Sequence, residues 1–567
     1  MLEKVNSIKD LKKLGLNDLP LLCDDIRKVI LSDVLASKGH LGSNLGVIEI
    51  TTALHYVFNS PIDKIVFDVS HQCYTHKILT GRKQYFIDGN ALDKIGGFTT
   101  PCESEHDLFK VGHTSTSIGL ALGLAKARDL NRTHENIIAL IGDGSLSGGV
   151  ALEALNMAGE YSGNLIIIVN DNDMSIAENH GGIYKNLKQL RDNKGVFEYN
   201  LFKSFGLDYY YYENGNDVIG LVDLFNKFKN INHPIILHIK TQKGKGFEAA
   251  EIEKEKYHFY VNGGRNVGSN SPIAFTKEFI KEEISKGRKL VCINAATPNV
   301  FGFNKEYRES LKEHYIDVGI AEQNAVTMTA GMAKNLVKPV YFVNCPFLGR
   351  AYDQLNHDLG MNSSNATVMV YNTAFAGGDC THKGIFDIGL VSNIPNFENI
   401  APATESDYKK VLEYAFADQN HPIVVRVPVS FVNLDKTCKG IEPYLIYEGS
   451  DVAIIGLGHS LELANEVYKN LTYKGISCSL INPLIYSKID EDFYGKLINH
   501  KVIVTIEEGV IDNGFGEKVD RFFAKYGVKC LNFGSNKDYN DLRNINDIYK
   551  DNHYTVDLIC EDVLKVI

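Results

Sequence analysis

The sequence predicts an α/β protein built on several parallel sheets, and two observations support that fold class. Short, continuous apolar runs rich in β-branched residues alternate with stretches of helical character. Continuous rather than alternating hydrophobicity is typical of strands that are buried on both faces, as in parallel sheets. The runs recur along the whole chain, so more than one sheet is expected; they lie at 137–141, 165–169, 235–239, 339–343, 367–371, 452–455 and 502–506.

Two polar seams divide the chain into segments of domain size. A chain of 567 residues exceeds what a single hydrophobic core supports. The first seam, 261–272, is rich in Gly, Asn and Ser, and the second, 433–443, follows a strand-like run at 423–427. We therefore expect domains at 1–265, 272–432 and 444–567.

Composition argues against several classes of function. The net charge is −11 and no basic cluster suggests a nucleic-acid partner. The ten cysteines are scattered without a C-x-x-C pair, which speaks against a metal–thiolate site and favours reduced thiols in the cytoplasm. Neither a signal-type apolar segment nor an apolar run of about 20 residues is present, so we expect a soluble cytoplasmic protein without membrane contact.

A candidate metal and diphosphate site lies between 136 and 176. The segment reads strand, Gly142-Asp143-Gly144 turn, helix, and a second strand that ends before Asn172. In a βαβ unit both strands end at the same sheet edge, where ligands of open α/β sheets bind. Asp143, Asn172 and the carbonyl of Met174 offer the oxygen ligands that Mg²⁺ prefers. The glycines and the following helix N-terminus suit a phosphate, although Gly-Asp-Gly alone also occurs as a plain turn.

Gly-Asp-Gly followed about thirty residues later by Asn resembles the cofactor signature of thiamine-diphosphate enzymes. The chain is most similar to the 1-deoxy-D-xylulose-5-phosphate synthase family, within the transketolase-like group. The motifs that carry the resemblance occur in the family's order: 38–46 (KGHLGSNLG), 68–82 (DVSHQCYTHKILTGR), 112–118 (GHTSTSI), 243–251 (KGKGFEAAE) with Tyr257 and His258, 317–323 (DVGIAEQ), 347–354 (FLGRAYDQ) and 507–516 (EEGVIDNGFG).

The resemblance implies three transketolase-like domains: diphosphate-binding, pyrimidine-binding and C-terminal. It also implies thiamine diphosphate and Mg²⁺ as cofactors, held between the first two domains, and a homodimer. Whether one chain or two complete the site stays open. Beyond the metal ligands Asp143, Asn172 and Met174, the implied cofactor contacts are His71, Gly112, His113, Thr114, Gly144, Ser145, Asn172, Phe247, Glu322 and Phe347.

The resemblance also assigns catalytic groups. Glu322 corresponds to the carboxylate that bonds the aminopyrimidine ring, although an acid at a helix N-terminus is also stabilised by the dipole alone. His40, His258 and His382 correspond to histidines that face the substrate, where imidazole exchanges protons near neutral pH. Arg350 and Asp379 are the further candidates, for anionic groups and for acceptor hydroxyls. The family reaction joins pyruvate, with loss of CO₂, to glyceraldehyde 3-phosphate.

Departures from the family pattern cluster in the acceptor half of the site. Asn372 and Val429 stand where the family has arginines, and Asn344 stands in place of a tyrosine. Each arginine–phosphate pair contributes roughly 1.5–3 kcal/mol, so losing two weakens phosphate binding, unless Arg350, His382 or Lys383 compensates. The Gly377–His382 loop is one residue shorter than in the family, and the lid-like region between Met174 and Leu237 is also shortened.

Three hypotheses follow from the sequence. The first is carboligation of pyruvate with glyceraldehyde 3-phosphate, which the motif order favours. The second keeps the cofactor but uses a different, non-phosphorylated or larger acceptor, or ketose donors as in transketolase, because the arginine pair is lost. The third is a binding or regulatory protein with a decayed site, against which Asp143, Asn172 and Glu322 speak. An oxo-acid dehydrogenase component fits the histidine motifs less well.

Overall fold

The computed structural model describes residues 1–264, 271–434, 436 and 438–567. Part of each predicted seam, namely 265–270, 435 and 437, lies outside these residues. The chain forms two compact units, Met1–Arg265 with Gly319–Ala321, and Asn266–Val318 with Glu322–Ile567. Among the described helices, none combines the length and the apolarity that crossing a bilayer requires.

The first unit contains a five-stranded sheet in the order β2-β3-β4-β6-β5, in which every pair is parallel. A separate antiparallel pair joins β1 to β7. The strands are β1 (Lys38–Gly39), β2 (Lys64–Phe67), β3 (Ile137–Gly142), β4 (Leu165–Asp171), β5 (Asp208–Tyr212), β6 (Pro234–Lys240) and β7 (Tyr260–Val261). The helices are α1 (Ile8–Leu11), α2 (Leu19–Ala36), α3 (Leu41–Gly46), α4 (Ile48–Val57), α5 (Tyr74–Lys77), α6 (Lys83–Ile87), α7 (Ala91–Ile95), α8 (Ser117–Asn131), α9 (Gly149–Ala158), α10 (Gly182–Asp192), α11 (Leu201–Ser204), α12 (Val218–Phe228) and α13 (Glu248–Ile252).

Both faces of this sheet are buried, which explains the continuous apolar runs. Successive side chains of a strand point to opposite faces. Ile138 and Leu140 join the core that contains α2, α4 and α12, whereas Ile137, Ala139 and Ile141 join the core beneath α8 and α9. The predicted βαβ unit is confirmed, because α9 connects the adjacent parallel strands β3 and β4.

The second unit contains two sheets. The six-stranded sheet has the order β12-β13-β11-β10-β8-β9 and is wholly parallel, while the five-stranded sheet has the order β14-β16-β15-β17-β18 with only β14 antiparallel. The strands are β8 (Leu290–Asn294), β9 (Tyr315–Asp317), β10 (Lys338–Asn344), β11 (Thr367–Tyr371), β12 (Glu398–Ile400), β13 (Ile423–Arg426), β14 (Tyr444–Tyr447), β15 (Val452–Gly456), β16 (Cys478–Asn482), β17 (Val502–Val510) and β18 (Lys529–Ser535). The helices are α14 (Pro272–Ser285), α15 (Lys305–Leu311), α16 (Glu322–Ala333), α17 (Cys345–Leu348), α18 (Tyr352–Gln354), α19 (Asp387–Val391), α20 (Glu405–Phe416), α21 (Leu461–Tyr473), α22 (Glu491–Tyr494), α23 (Phe515–Phe523), α24 (Ile545–Asp551) and α25 (Val556–Leu564).

The α/β fold class with parallel sheets is confirmed, and each of the seven predicted runs lies within a strand. The two sheets of the second unit share one core, since Val343 and Val370 belong to the same apolar cluster as Ile455 and Ile503. The division of the chain into three domains stays a prediction.

A buried ion pair links the two sheets of the second unit. The Arg426 guanidinium, at the end of β13, donates from Nε to Asp387 Oδ2 over 2.8 Å. It also donates from Nη2 to the Glu508 carbonyl of β17 over 2.6 Å. Both side chains of the pair are fully buried. Removing one partner of such a pair leaves an uncompensated charge in the core.

We expect Asp387→Ala to lower the free energy of unfolding of the second unit by about 3–5 kcal/mol, because it strands the buried Arg426. Urea denaturation followed by far-UV circular dichroism measures this, since the chain has no tryptophan. Asp512→Ala is the matched control, because Asp512 forms an exposed 3.7 Å pair with Lys537. Equal midpoints for the two variants would contradict the assignment.

Candidate active site

One group of predicted site residues lies where β3 and β4 end at the same edge of the first sheet. Gly142 pairs with Asn170 in register, so Asp143 and Asn172 follow adjacent strand ends. Asn179 Nδ2 donates to Asp143 Oδ2 over 2.7 Å, and the Asn172 backbone N–H donates to the same carboxylate. Asp143 is buried, and this burial, together with the nearby Asp171, raises the pKa of Asp143 to about 8.

The donor atoms at this edge fit a hard cation. Within the described part of the chain, the buried Asn172 Oδ1 has no hydrogen-bond partner. A buried oxygen of this kind costs free energy unless a ligand satisfies it. A carboxylate and an amide oxygen in one buried turn are the ligand types that Mg²⁺ takes from proteins. Met174 lies half-buried in the same turn, and its carbonyl as third ligand stays a prediction.

Glycine is required at the first of the predicted phosphate contacts. A Cβ on Gly144 would lie 2.9 Å from Ser175 Cα, closer than packed carbon atoms approach. The Gly144 carbonyl accepts from the Tyr184 hydroxyl at 3.0 Å, and the Ser145 carbonyl accepts from Ser115 Oγ at 2.7 Å. The turn after β3 is thereby tied to the segment that follows Gly112, His113 and Thr114.

Asp68 holds that segment in place, although the sequence did not single it out as a site residue. Its buried carboxylate accepts from the backbone N–H groups of Ser115 and Ser117, at 2.9 and 3.0 Å. Asp68 follows β2 directly, so three neighbouring strand ends contribute to one edge. Its position as the first residue of the 68–82 motif was the available signal.

The structure brings His40, His71 and His258 together in the first unit. Their ring centroids lie 4.9 Å apart for His40–His71, 5.5 Å for His40–His258 and 5.3 Å for His71–His258. Asn44 fixes two of them, because its Nδ2 donates to the carbonyls of His40 and His71 at 2.6 and 2.8 Å. The three predicted histidines therefore form one cluster.

Lys243 connects the histidine cluster to the turn after β4, although the sequence alone assigned it no role. Its Nζ donates to the Ser175 carbonyl over 2.6 Å and lies 3.3 Å from His258 Nδ1. Burial lowers the pKa of Lys243 to about 8. Phe247, a predicted cofactor contact, packs edge-to-face on Tyr257 with ring centroids 5.5 Å apart.

The shortened region between Met174 and Leu237 supports the metal turn. Arg191 of α10 donates to both Asp171 carboxylate oxygens at 2.7 Å and pairs with Asp173 at 2.6 Å. His238 Nε2 lies 2.8 Å from the same Asp171 carboxylate. Asn172 is therefore flanked by two carboxylates that both pair with Arg191.

A separate group of predicted site residues lies in the second unit, where Glu322 begins α16 shortly after β9. The Glu322 side chain is buried, and its Oε2 lies 3.5 Å from Arg350 Nη1. Burial raises the pKa of Glu322, and the Arg350 charge opposes that shift. Glu322 is thus a buried carboxyl group at a helix N-terminus, as its predicted role needs.

Phe347 and His382 meet edge-to-face, with ring centroids 5.5 Å apart. Asp379 Oδ1 accepts from the Thr381 N–H at 2.8 Å, at the start of the 3₁₀ turn Cys380–His382. Lys383 Nζ donates to the carbonyls of Ala376 and Gly378, at 2.5 and 3.2 Å, and Lys383 is buried. Lys383 therefore stabilises this loop. These two bonds compete with the phosphate-binding role that the sequence suggested for it.

The three positions that depart from the family pattern, Asn344, Asn372 and Val429, contribute no charged side chain to this region. Asn372 Nδ2 donates to Asn344 Oδ1 over 2.9 Å, which joins the ends of β11 and β10. Asn372 has a φ of 57°, a conformation that asparagine tolerates better than most residues. Val429 is half exposed.

Comparison with known sequences identifies transketolase-type domains on this fold. Residues 273–433 match the transketolase pyrimidine-binding domain, and residues 444–535 match the transketolase C-terminal domain. Residues 2–200 match the family described as 1-deoxy-D-xylulose-5-phosphate synthase. The protein is a transketolase-type transferase with a transketolase-like fold.

Curated relatives show which family within the transketolase-type group the chain belongs to. The 1-deoxy-D-xylulose-5-phosphate synthase of Alkaliphilus oremlandii is 36% identical, with 91% of each chain covered. That of Clostridium tetani is 34% identical over 100% of this chain and 99% of the relative. The chain therefore belongs to the 1-deoxy-D-xylulose-5-phosphate synthase family. A solved transketolase from Campylobacter jejuni is 15% identical, with a TM-score of 0.46 over 97% of this chain and 100% of that one.

We expect the His258 imidazole to stay neutral down to well below pH 6.5, because burial, reinforced by the Lys243 charge, lowers its pKa. NMR of the protein labelled at its histidine rings measures the titration, with His258→Gln identifying the signal. Lys243→Met should move the midpoint upward, and only partly, since burial is the larger cause. A His258 titration midpoint at or above pH 6.5 in the wild type would contradict the expectation that burial beside Lys243 lowers its pKa.

Proposed function

We propose that the protein catalyses the thiamine-diphosphate- and Mg²⁺-dependent condensation of pyruvate with glyceraldehyde 3-phosphate, giving 1-deoxy-D-xylulose 5-phosphate and CO₂. The observation that carries the proposal is the buried Asp143–Asn172 pair, in one unit with the histidine cluster, in a chain of this family. The names of the curated relatives support the substrate assignment.

In this proposal Asp143, Asn172 and the Met174 carbonyl would hold Mg²⁺. Gly144 and Ser145 would contact the diphosphate. The other residues that would hold the cofactor are His71, Gly112, His113, Thr114 and Phe247. Bound thiamine diphosphate would supply a carbon acid that serves as nucleophile and electron sink for pyruvate. Glu322 would bond the aminopyrimidine ring, and Phe347 would pack against it. The burial of Glu322 supports this role, because burial raises its pKa and strengthens a hydrogen bond between its carboxyl group and a ligand.

The histidines handle protons and the acceptor. Pyruvate loses CO₂, the remaining two-carbon unit forms a C–C bond to the aldehyde carbon, and the aldehyde oxygen takes up one proton. In this proposal one or both of His40 and His258 exchange that proton. The contacts of Asn44 with the His40 carbonyl and of Lys243 with His258 Nδ1 support the proposal. His382 and Asp379 bind acceptor hydroxyls, while Arg350 orients Glu322 and binds an anionic group of the substrate.

We further propose a homodimer located in the cytoplasm, with domains at 1–265, 272–432 and 444–567. The three main parallel sheets, one in each range, support the domain division. The matches at 273–433 and 444–535 agree with it.

We expect Asn172→Ala to weaken Mg²⁺-dependent binding of thiamine diphosphate by at least about tenfold, since even outer-shell changes at metal sites cost 10- to 100-fold. Isothermal titration calorimetry measures the affinity. Asn172→Asp, which keeps an oxygen ligand, should bind more tightly than Asn172→Ala. Asn193→Ala, an exposed residue at the end of α10, is the control. Wild-type affinity for Asn172→Ala would contradict the metal assignment.

A second candidate function replaces the acceptor and keeps the cofactor chemistry. The observation that favours it is the neutral Asn372–Asn344 pair, with Val429 in place of the second arginine and Lys383 bonded to backbone carbonyls. Under this candidate the acceptor is a non-phosphorylated or larger aldehyde, or the enzyme takes ketose donors as transketolase does.

An acceptor screen with pyruvate as donor separates the two candidates. We expect the highest kcat/KM for glyceraldehyde 3-phosphate, because phosphate adds binding free energy. Comparable kcat/KM for D-glyceraldehyde and its 3-phosphate would favour the second candidate. If no aldehyde gives product with pyruvate while the cofactor binds, decarboxylative carboligation itself is wrong. Asn372→Arg, which restores a guanidinium, should raise the preference for the phosphorylated aldehyde under the second candidate.

A further inference from the structure

A C-terminal segment, 541–545, lies directly against the loop 376–382 that carries Asp379 and His382. The Gly378 N–H donates to the Arg543 carbonyl over 2.8 Å, and the two residues form an antiparallel bridge. The Cys380 N–H donates to Asp541 Oδ1 over 3.2 Å. The N–H groups of Gly378 and Cys380 therefore both bond to a segment more than 160 residues further along the chain.

This loop and the C-terminal segment lie so close together that a side chain at Gly377 would be tightly packed. A Cβ there would lie 3.1 Å from both the Arg543 carbonyl oxygen and the Ile545 nitrogen. Side-chain atoms of Asp379, Cys380 and Asp541 also lie within 4.8 Å of one another. The Asp541 carboxylate thus stands beside the candidate acceptor-binding carboxylate.

The loop is held from its other side by Lys383, through the carbonyls of Ala376 and Gly378. Lys383 fixes the start of the loop, whereas Asp541 bonds the 3₁₀ turn Cys380–His382 itself. The His382 ring, at the end of that turn, packs edge-to-face against Phe347. A shift of the turn therefore moves Asp379 and His382 together.

We propose that Asp541 is a positioning residue for the acceptor: it fixes, through the Cys380 N–H, the turn that presents Asp379 and His382. The inference rests on the acceptor role given to these residues under the proposed function. A carboxylate accepting from a backbone N–H makes a charge-assisted bond, stronger than a neutral one. Misplacement of binding groups by about 1 Å costs up to 100-fold in rate.

Steady-state kinetics of the full-length holoenzyme test the inference, because the KM for the aldehyde and the KM for pyruvate should respond differently. We expect Asp541→Ala to raise the KM for glyceraldehyde 3-phosphate about tenfold and to leave the KM for pyruvate within about twofold, which matches loss of one charge-assisted bond. Asp541→Asn keeps an acceptor oxygen and should stay within about threefold of wild type for both. An equal change in both KM values, or none in either, overturns the inference.

Arg543→Ala is the matched control. Arg543 contacts the loop only through its main-chain carbonyl in the contacts described above, while its guanidinium pairs with Asp551. Truncating the side chain removes a charge from the same segment and leaves the bridge to Gly378. A KM for the aldehyde that rises as much in Arg543→Ala as in Asp541→Ala would mean that a general disturbance of the 541–545 segment, rather than loss of the bond to Cys380, is responsible, and would overturn the inference.

Hydrogen–deuterium exchange supplies a readout that needs no turnover. In Asp541→Ala the peptide covering 376–383 should exchange faster, because the Cys380 amide loses its acceptor, while peptides from β10 and β11 stay unchanged. Unchanged exchange at 376–383 overturns the inference. If the wild type forms no product with any aldehyde, the proposed function fails separately, and the exchange result still decides whether Asp541 holds the turn.

Discussion

Burial of the Asp143 carboxylate is the constraint on which the first unit depends. A carboxylate removed from water costs several kcal/mol unless it is paired or bound to a cation. Here the partners are two amide N–H donors, from Asn179 and the Asn172 backbone, beside an Asn172 oxygen that nothing in the described chain satisfies. The arrangement is costly as protein alone, and this cost supports the proposal that a divalent cation completes it.

The surrounding residues keep that arrangement in place. Arg191 pairs with both Asp171 and Asp173 on either side of Asn172, and Asp68 anchors the neighbouring segment through two backbone N–H groups. Lys243 ties the same turn to His258. The second unit repeats the principle with Glu322, whose carboxyl group is buried at a helix N-terminus beside Arg350. Each unit thus has a buried acid, Asp143 or Glu322, at the position where a cofactor group is proposed to bind.

The sequence predicted local features well and long-range support poorly. The strand ends before Asp143 and Asn172 followed from apolar runs and glycines, because those signals are contiguous in the chain. Grouping His40, His71 and His258 needed the family resemblance. Asp68, Lys243 and Arg191 act through partners 47, 15 and 20 residues away. Asp68 and Lys243 begin the motifs 68–82 and 243–251, but no contiguous signal shows which partners they bond. The contact of Asp541 with Cys380 spans 161 residues and depends entirely on how the second unit folds.

Anomalous diffraction from crystals grown with Mn²⁺ and thiamine diphosphate tests the metal assignment most directly. We expect one strong manganese peak per chain within coordinating distance of the Asp143 carboxylate and Asn172 Oδ1, with diphosphate oxygens completing the shell. A peak at the Asp379–Cys380–Asp541 group instead, or full cofactor density without a peak beside Asp143, would contradict it.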